Sequence, residues 1–147
     1  MLLFHCNWLA MGPFALAGMA CAVPWLISHS PEFGLALQRG FALVCHQQAE
    51  RSFNLFGGSI AVCARCLGIY IGATAGLMVQ LPRRIAWRCL LVAAALNLAD
   101  WLAEFGGLHG NWLAARFVLG LALGAAAAML VIASIEKVKI PTQAKAA

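Results

Sequence analysis

Charged side chains are scarce in this sequence. Asp, Glu, Lys and Arg make up 10% of the 147 residues, against 63% hydrophobic residues, and the mean hydropathy is +0.86. So little polar surface cannot cover a water-soluble globule. The formal charge is +5, but the basic residues lie at the ends of apolar runs and form no stripe with interleaved aromatic residues, which argues against nucleic acid. We therefore expect membrane lipid around the protein.

Apolar runs long enough to cross a bilayer, about 20 residues each, occur about four times in the chain. They cover residues 8–27, 59–81, 85–103 and 111–135. Their short connections predict that consecutive helices are antiparallel neighbours. Between the first two runs the chain is polar, and Phe33 to Gln47 predicts a short interfacial or re-entrant helix. The expected fold is an all-α integral membrane protein, a bundle of about four transmembrane helices in one domain, residues 1–147.

The first run is interrupted by Pro13 and Pro24. Membrane helices tolerate proline where neighbours satisfy the freed backbone groups. Because no basic segment precedes the run and its length is about that of a full span, we expect a retained helix rather than a cleaved signal peptide.

Basic residues predict the orientation in a cell inner (cytoplasmic) membrane. The positive-inside rule places two basic groups in the cytoplasm: Arg83, Arg84 and Arg88 in the loop from Gln80 to Arg88, and Lys137, Lys139 and Lys145 in the tail. Both termini would then be cytoplasmic. The segments from Ser28 to Gly58 and from Glu104 to Trp112 would face outward, as would four arginines, Arg39, Arg51, Arg65 and Arg116.

Small residues recur at every fourth position in two runs. They are Gly68, Gly72 and Gly76 in the second run, and Gly120, Gly124 and Ala128 in the fourth. Such stripes let helix backbones approach closely, so we interpret them as packing faces.

Polar chemistry concentrates at the start of the second run. Cys63 and Cys66 form a C-x-x-C pair whose i, i+3 spacing puts both sulfurs on one helix face, with Tyr70 further along it. Arg65 at a helix N-terminus is suited to lowering a thiol pKa. The other cysteines, Cys6, Cys21 and Cys89, are scattered among the spans and are interpreted as packing residues.

A second polar face lies on the third run, where Asn97, Asp100 and Glu104 follow one another at i, i+3 and i+7. An ionisable group inside a span is costly. Asp100 should therefore face the interior and pair with Arg116 or Arg65.

Three segments carry a resemblance to a known family. Cys45-His46-Gln47, Glu50-Arg51-Ser52-Phe53 and Val62-Cys63-Ala64-Arg65-Cys66-Leu67-Gly68-Ile69-Tyr70 resemble the signature of small membrane proteins called domain of unknown function 2085. The resemblance implies a multi-span membrane fold and no established activity. The roles of Arg51 and Ser52 stay open: both bind a ligand, or Ser52 caps a turn while Arg51 pairs with Glu50 or Asp100.

The leading hypothesis is a metal site formed by Cys45, His46, Cys63 and Cys66. Three thiolates and an imidazole match a tetrahedral zinc centre, while copper or iron fits less well. His46 could instead orient the site from outside the ligand set. A metal there would clamp the outer loop onto the second span, as in a structural or accessory subunit of a larger membrane complex or in a metal-handling protein.

The rival hypothesis is an enzyme, a quinone-linked membrane thiol-disulfide oxidoreductase. Cys63 and Cys66 would cycle between dithiol and disulfide, Cys45 would exchange with them, and Arg65 would stabilise a thiolate or a reduced quinone. The outer loops, however, lack a second cysteine pair to relay electrons to a partner protein.

Overall fold

A computed structural model of the protein describes residues 2–108 and 110–144, with side chains described for 8–108 and 110–135. His109 and Lys145 lie outside the described residues. Five α-helices make up most of the described chain: α1 Leu2–His29, α2 Pro31–Ala42, α3 Ala64–Gly76, α4 Arg83–Phe105 and α5 Leu113–Ala144. A 3₁₀ turn at Ala49–Arg51 and two short strands, β1 Asn54–Leu55 and β2 Gly58–Ser59, lie between α2 and α3.

Three of the described helices are long and apolar enough to cross a membrane. Their candidate spans are Trp8–His29, Arg83–Phe105 and Leu113–Ile135. Large apolar side chains such as Leu91, Leu98 and Val118 are exposed on them, as expected for lipid-facing surfaces. The described part of the protein is thus mainly helical, and three of its helices meet the requirements of a span.

The second apolar run, 59–81, folds differently from the other three. Its helix α3 has 13 residues and reaches about 20 Å, less than the hydrocarbon thickness of about 30 Å. Residues before Ala64 form a strand and a buried extended segment, and the helix ends at Gly76. Hydropathy alone did not reveal these interruptions.

The expected short helix is present as α2, displaced toward the N-terminus of the predicted range. It starts at Pro31, where a missing N–H costs nothing. α2 runs antiparallel to α1: a Cβ on Gly34 would lie 2.6 Å from the backbone nitrogen of Ile27, while Phe41 packs with Ala20 and Val23. The helix therefore folds back along the end of α1.

Both glycine stripes pack against each other, which confirms the packing interpretation. A Cβ on Gly68, Gly72 or Gly76 would overlap the backbone of Phe117, Leu121 or Ala125, respectively. In return, a Cβ on Gly120 or Gly124 would overlap the backbone of Arg65 or Ile69. Because the paired numbers rise together, α3 and α5 are parallel.

This pairing changes the expected neighbour order. α4 packs on α5, and the Asn97 amide donates to the Leu119 carbonyl over 3.0 Å. α3 packs mainly against α5 rather than against α4, its successor in the chain. The prediction that all consecutive helices are neighbours is therefore wrong for α3 and α4. The glycine faces of α3 and α5 let these two helices approach closely, so α3 packs on α5 instead.

Pro24 in α1 creates a docking point for the segment before α3. Proline has no N–H to bond the carbonyl four residues earlier, so the Ala20 carbonyl is free to accept from the Ala61 N–H, over 3.1 Å. Ile60, Ala61 and Val62 are almost completely buried. Non-helical backbone is thereby satisfied inside the protein, as the membrane requires.

Candidate metal centre

Three cysteine side chains, Cys45, Cys63 and Cys66, converge at the start of α3. Their Sγ atoms all lie within 4.8 Å of one another. Cys45 follows α2 and its N–H donates to the Phe41 carbonyl over 3.0 Å, Cys63 immediately precedes α3, and Cys66 lies in the first turn. All three are free thiols. Loop and helix thus contribute to one sulfur cluster.

The local polarity of this cluster favours a negatively charged sulfur. The backbone N–H of Cys63 donates to the Cys45 sulfur over 3.2 Å. A hydrogen bond with the Cys66 thiol lowers the pKa of Cys63 to about 5, outweighing the opposite effect of burial. Cys63 lies outside the three candidate spans, at a helix N-terminus where the helix dipole also favours negative charge.

The donor set fits a thiophilic metal ion. Zinc–sulfur bonds of about 2.3 Å in a tetrahedron separate sulfurs by about 3.8 Å, and the observed upper limit of 4.8 Å is within a small side-chain movement of that value. Among the described residues, His46 is not part of the group of close ligand atoms, and its side chain is exposed. It does line the cavity beside the sulfurs. The structure thus brings together three of the four expected ligands.

A cavity of about 440 Å³ opens beside the three sulfurs. Its wall includes cysteine, arginine and amide side chains together with one tryptophan: Cys45, His46, Gln47, Gln48, Arg51, Cys63, Arg65, Cys66, Trp101 and Arg116. The contributions of Trp101, Gln47 and Gln48 were not predicted. Each follows a predicted residue closely in the sequence, but nothing in the pattern distinguished them.

Asp100 pairs with Arg65 over 2.5 Å, and its side chain is only 9% exposed. This is one of the two partners predicted for it. Arg116, the other predicted partner, forms an ion pair with Glu104 instead, and its side chain is 5% exposed. Each carboxylate of the predicted polar face on α4 therefore meets a cation beside the cavity.

Arg51 pairs with Glu104 over 3.0 Å. The predicted partners Glu50 and Asp100 were therefore wrong, because the loop reaches across to the last turn of α4. The Asn111 amide also donates to the Glu50 carbonyl. Two contacts thus attach the cysteine-bearing loop to the α4–α5 end of the bundle.

Ser52 and Tyr70 have supporting roles in this arrangement. The Ser52 hydroxyl is buried and donates to the Gln48 carbonyl over 2.9 Å, closing the 3₁₀ turn. Tyr70 packs against the buried apolar cluster around Val23 and Val62 and does not line the cavity. Among the described residues of α3, therefore, only those of the first turn line the cavity.

Comparison with known proteins gives a family match that contains this site. The profile of a family described as "Predicted membrane protein (DUF2085)" matches residues 45–130. An uncharacterized protein of Methanocaldococcus jannaschii is 32% identical over 100 residues, 61% of this chain and 62% of that protein. Another, from Methanothermobacter thermautotrophicus, is 33% identical over 97 residues, 61% of this chain and 86% of that protein. The chain thus spans less than two thirds of the first relative. No solved structure matches it.

Proposed function

Since the chain belongs to the DUF2085 family of predicted membrane proteins, we propose that it is a membrane protein whose Cys45, Cys63 and Cys66 hold a zinc ion. The observation that carries this proposal is the approach of three sulfurs to within 4.8 Å of one another. His46, which lines the same cavity, supplies the fourth ligand. The bound metal clamps the loop after α2 onto α3, in a structural or metal-handling role.

The charge of the cavity wall supports a divalent ion with three thiolates. Three guanidinium groups, those of Arg51, Arg65 and Arg116, line the cavity, and two carboxylates, Asp100 and Glu104, pair with them. Among the described residues that line the cavity or pair with its arginines, one positive charge is left over. A zinc ion with three thiolates carries one negative charge, which this excess offsets. Copper(I) with the same three thiolates would carry two negative charges. A disulfide is neutral and would leave the excess positive charge without compensation.

The contacts of α3 support a fourth crossing. Its first turn lies beside Asp100, and the chain then returns to Arg83 at the start of α4. Along α4, Arg83 and Asp100 are about 26 Å apart at 1.5 Å per residue. Helix α3 together with residues 77–82 must therefore cover most of the depth that α4 covers.

We place the basic start of α4 in the cytoplasm of a cell with an inner membrane, following the positive-inside rule. The metal centre then lies at the outer end of the bundle, and both termini lie inside. Of the four arginines on the outer side, Arg51, Arg65 and Arg116 are in ion pairs that build the site. The fold therefore accounts for these three arginines on the outer side, where the positive-inside rule alone would not place them.

Metal content of the purified full-length protein tests the proposal. We expect one zinc per chain in the wild type, loss of that zinc in Cys63→Ser, and retention in Cys89→Ser, because Cys89 is exposed and lies outside the cluster. His46→Ala should keep the stoichiometry and weaken the affinity. Cobalt substitution should give sulfur-to-metal charge-transfer bands that Cys45→Ser reduces. A wild-type protein with equal metal content to Cys63→Ser would refute the metal site.

A second function, quinone-linked thiol oxidation, has one observation in its favour. The Nε atoms of Arg65 and Arg116 are buried without a hydrogen-bond partner, and both side chains line the cavity beside the C-x-x-C pair. A quinone oxygen is an acceptor of the required kind. In that case Cys63 and Cys66 would lose two protons and two electrons to form a disulfide while the quinone became a quinol. Reduction of a soluble ubiquinone analogue by the dithiol protein, abolished in Cys66→Ser, would favour this function.

A further inference from the structure

A second cavity, of about 450 Å³, lies between α4 and α5. It is lined almost entirely by apolar side chains, with one cation, and the residues that matter here are Arg88, Val92, Leu96, Ala122, Ala126 and Met129. It is separate from the metal centre: Arg88 and Asp100 are about 18 Å apart along α4 at 1.5 Å per residue.

The shape of this groove follows from the sequence of the two helices. On α4, Arg88, Val92 and Leu96 recur at every fourth position and so share one face. On α5, Ala122 and Ala126 are too small to fill the space opposite them. The result is a groove about 12 Å long, parallel to the helices, with the cation at one end.

The charge around the groove has a single sign. Arg88 is its charged lining residue, and Arg83 and Arg84 lie within about one and a half turns on the same helix. In the described part of the chain, no carboxylate lines it. Basic pockets between membrane helices bind anionic lipid head groups, and each cation near the surface contributes to that binding.

We propose that this groove holds an acyl chain of an anionic phospholipid, with the lipid phosphate against Arg88. The apolar wall excludes a free anion as the main occupant, because such an anion would use only the charged end. Arg88 in turn favours an anionic over a zwitterionic phospholipid, because the ammonium of a zwitterionic head group offsets the attraction between the phosphate and the guanidinium. The proposal does not depend on the metal.

Native mass spectrometry of the full chain in detergent, incubated with equal amounts of phosphatidylglycerol and phosphatidylcholine of matched acyl chains, tests this site. We expect the wild type to retain phosphatidylglycerol preferentially. Arg88→Gln should reduce the preference about fivefold, as expected for one interfacial cation. Arg83→Gln is the matched control and should change it much less, because Arg83 is at the same end of α4 but does not line the groove.

A second variant tests the apolar part. Val92 is 59% exposed, so Val92→Trp can fill the groove without disturbing the buried core. It should lower retention of phosphatidylglycerol at least as much as Arg88→Gln, while the metal content stays unchanged. Equal loss in Arg83→Gln and Arg88→Gln would mean general attraction to basic residues and overturn the proposal. Equal retention of both lipids by the wild type, or full retention by Val92→Trp, would also overturn it.

Discussion

The guanidinium Nη2 of Arg65 donates to Oδ2 of Asp100 over 2.5 Å, and this contact connects the first turn of α3 to the last third of α4. These two helices pack mainly against α5 rather than against each other. The ion pair is therefore a polar link across the end of the bundle, directly beside the sulfur cluster.

The two members of this pair should be energetically coupled. Arg65→Ala leaves the Asp100 carboxylate, 9% exposed, without this partner, whereas the double variant with Asp100→Asn removes the charge as well. We expect a coupling energy of about 0.5–3 kcal/mol, the usual range for residues in contact. Thermal unfolding of the four proteins of the cycle in detergent measures it. Additive effects would show that the link contributes nothing to stability.

Gly72→Ala should strongly destabilise the protein. A Cβ there would overlap the carbonyl oxygen of Leu121, so α3 and α5 would have to separate and lose a tightly packed interface, at a cost of about 1–3 kcal/mol. Gly12→Ala is the control, because a Cβ on Gly12 meets nothing within 4 Å. A lower midpoint of thermal unfolding for Gly72→Ala alone is expected, and equal midpoints for the two variants would contradict the interface.

The glycine faces and the cysteine cluster were predictable because each rests on a short periodic pattern. Spacing of four residues puts Gly68, Gly72 and Gly76 on one side of any helix, and spacing of three puts Cys63 and Cys66 together. These arrangements hold whatever surrounds the helix. Cys45 could be assigned to the same cluster because its polar segment was predicted to lie at the same membrane interface as the start of the second run.

The helix ends and the partners across the bundle were not predictable in the same way. Phe56 and Gly57 adopt φ of 50° and 80° in a two-residue hairpin turn just before the apolar run. This turn was not recognised in the sequence because phenylalanine is an unusual residue there. The partner of Arg51 depends on the loop reaching Glu104, 53 positions along the chain. Such contacts follow from tertiary packing, which local patterns do not encode.

Pro24→Ala should loosen the segment that places Cys63. The new N–H at position 24 can bond the Ala20 carbonyl as in a regular helix, and it would compete with the Ala61 N–H that now occupies this acceptor. We expect Cys63 to be alkylated faster in metal-free protein, and peptide mass spectrometry measures this rate. Pro13→Ala, which changes the other proline of α1, should leave the rate unchanged. Identical rates in both variants would remove the proposed role of Pro24.

Reporter fusions distinguish four crossings from three. With four crossings, a reporter after Arg84 reads cytoplasmic, while an epitope inserted at Pro31 or at Gly107 reads external. If α3 did not cross, the positions at Arg84 and Pro31 would lie on the same side. The paired reading of these two positions therefore decides the question without reference to the metal, and a common side would refute the four-crossing arrangement.

Metal removal should destabilise the wild type and leave a ligand variant unaffected. An ion that binds the folded protein alone adds stability that grows with its concentration, about 2.7 kcal/mol at 100 times its dissociation constant. Chelation should therefore lower the unfolding midpoint of the wild type and of Cys89→Ser, whereas Cys63→Ser should begin at the lower midpoint and not respond. If Cys63→Ser lowers the midpoint and chelation does not, the sulfurs stabilise the fold by packing alone. Recovery of the wild-type midpoint on adding zinc to the chelated protein would exclude damage by the chelator as the cause.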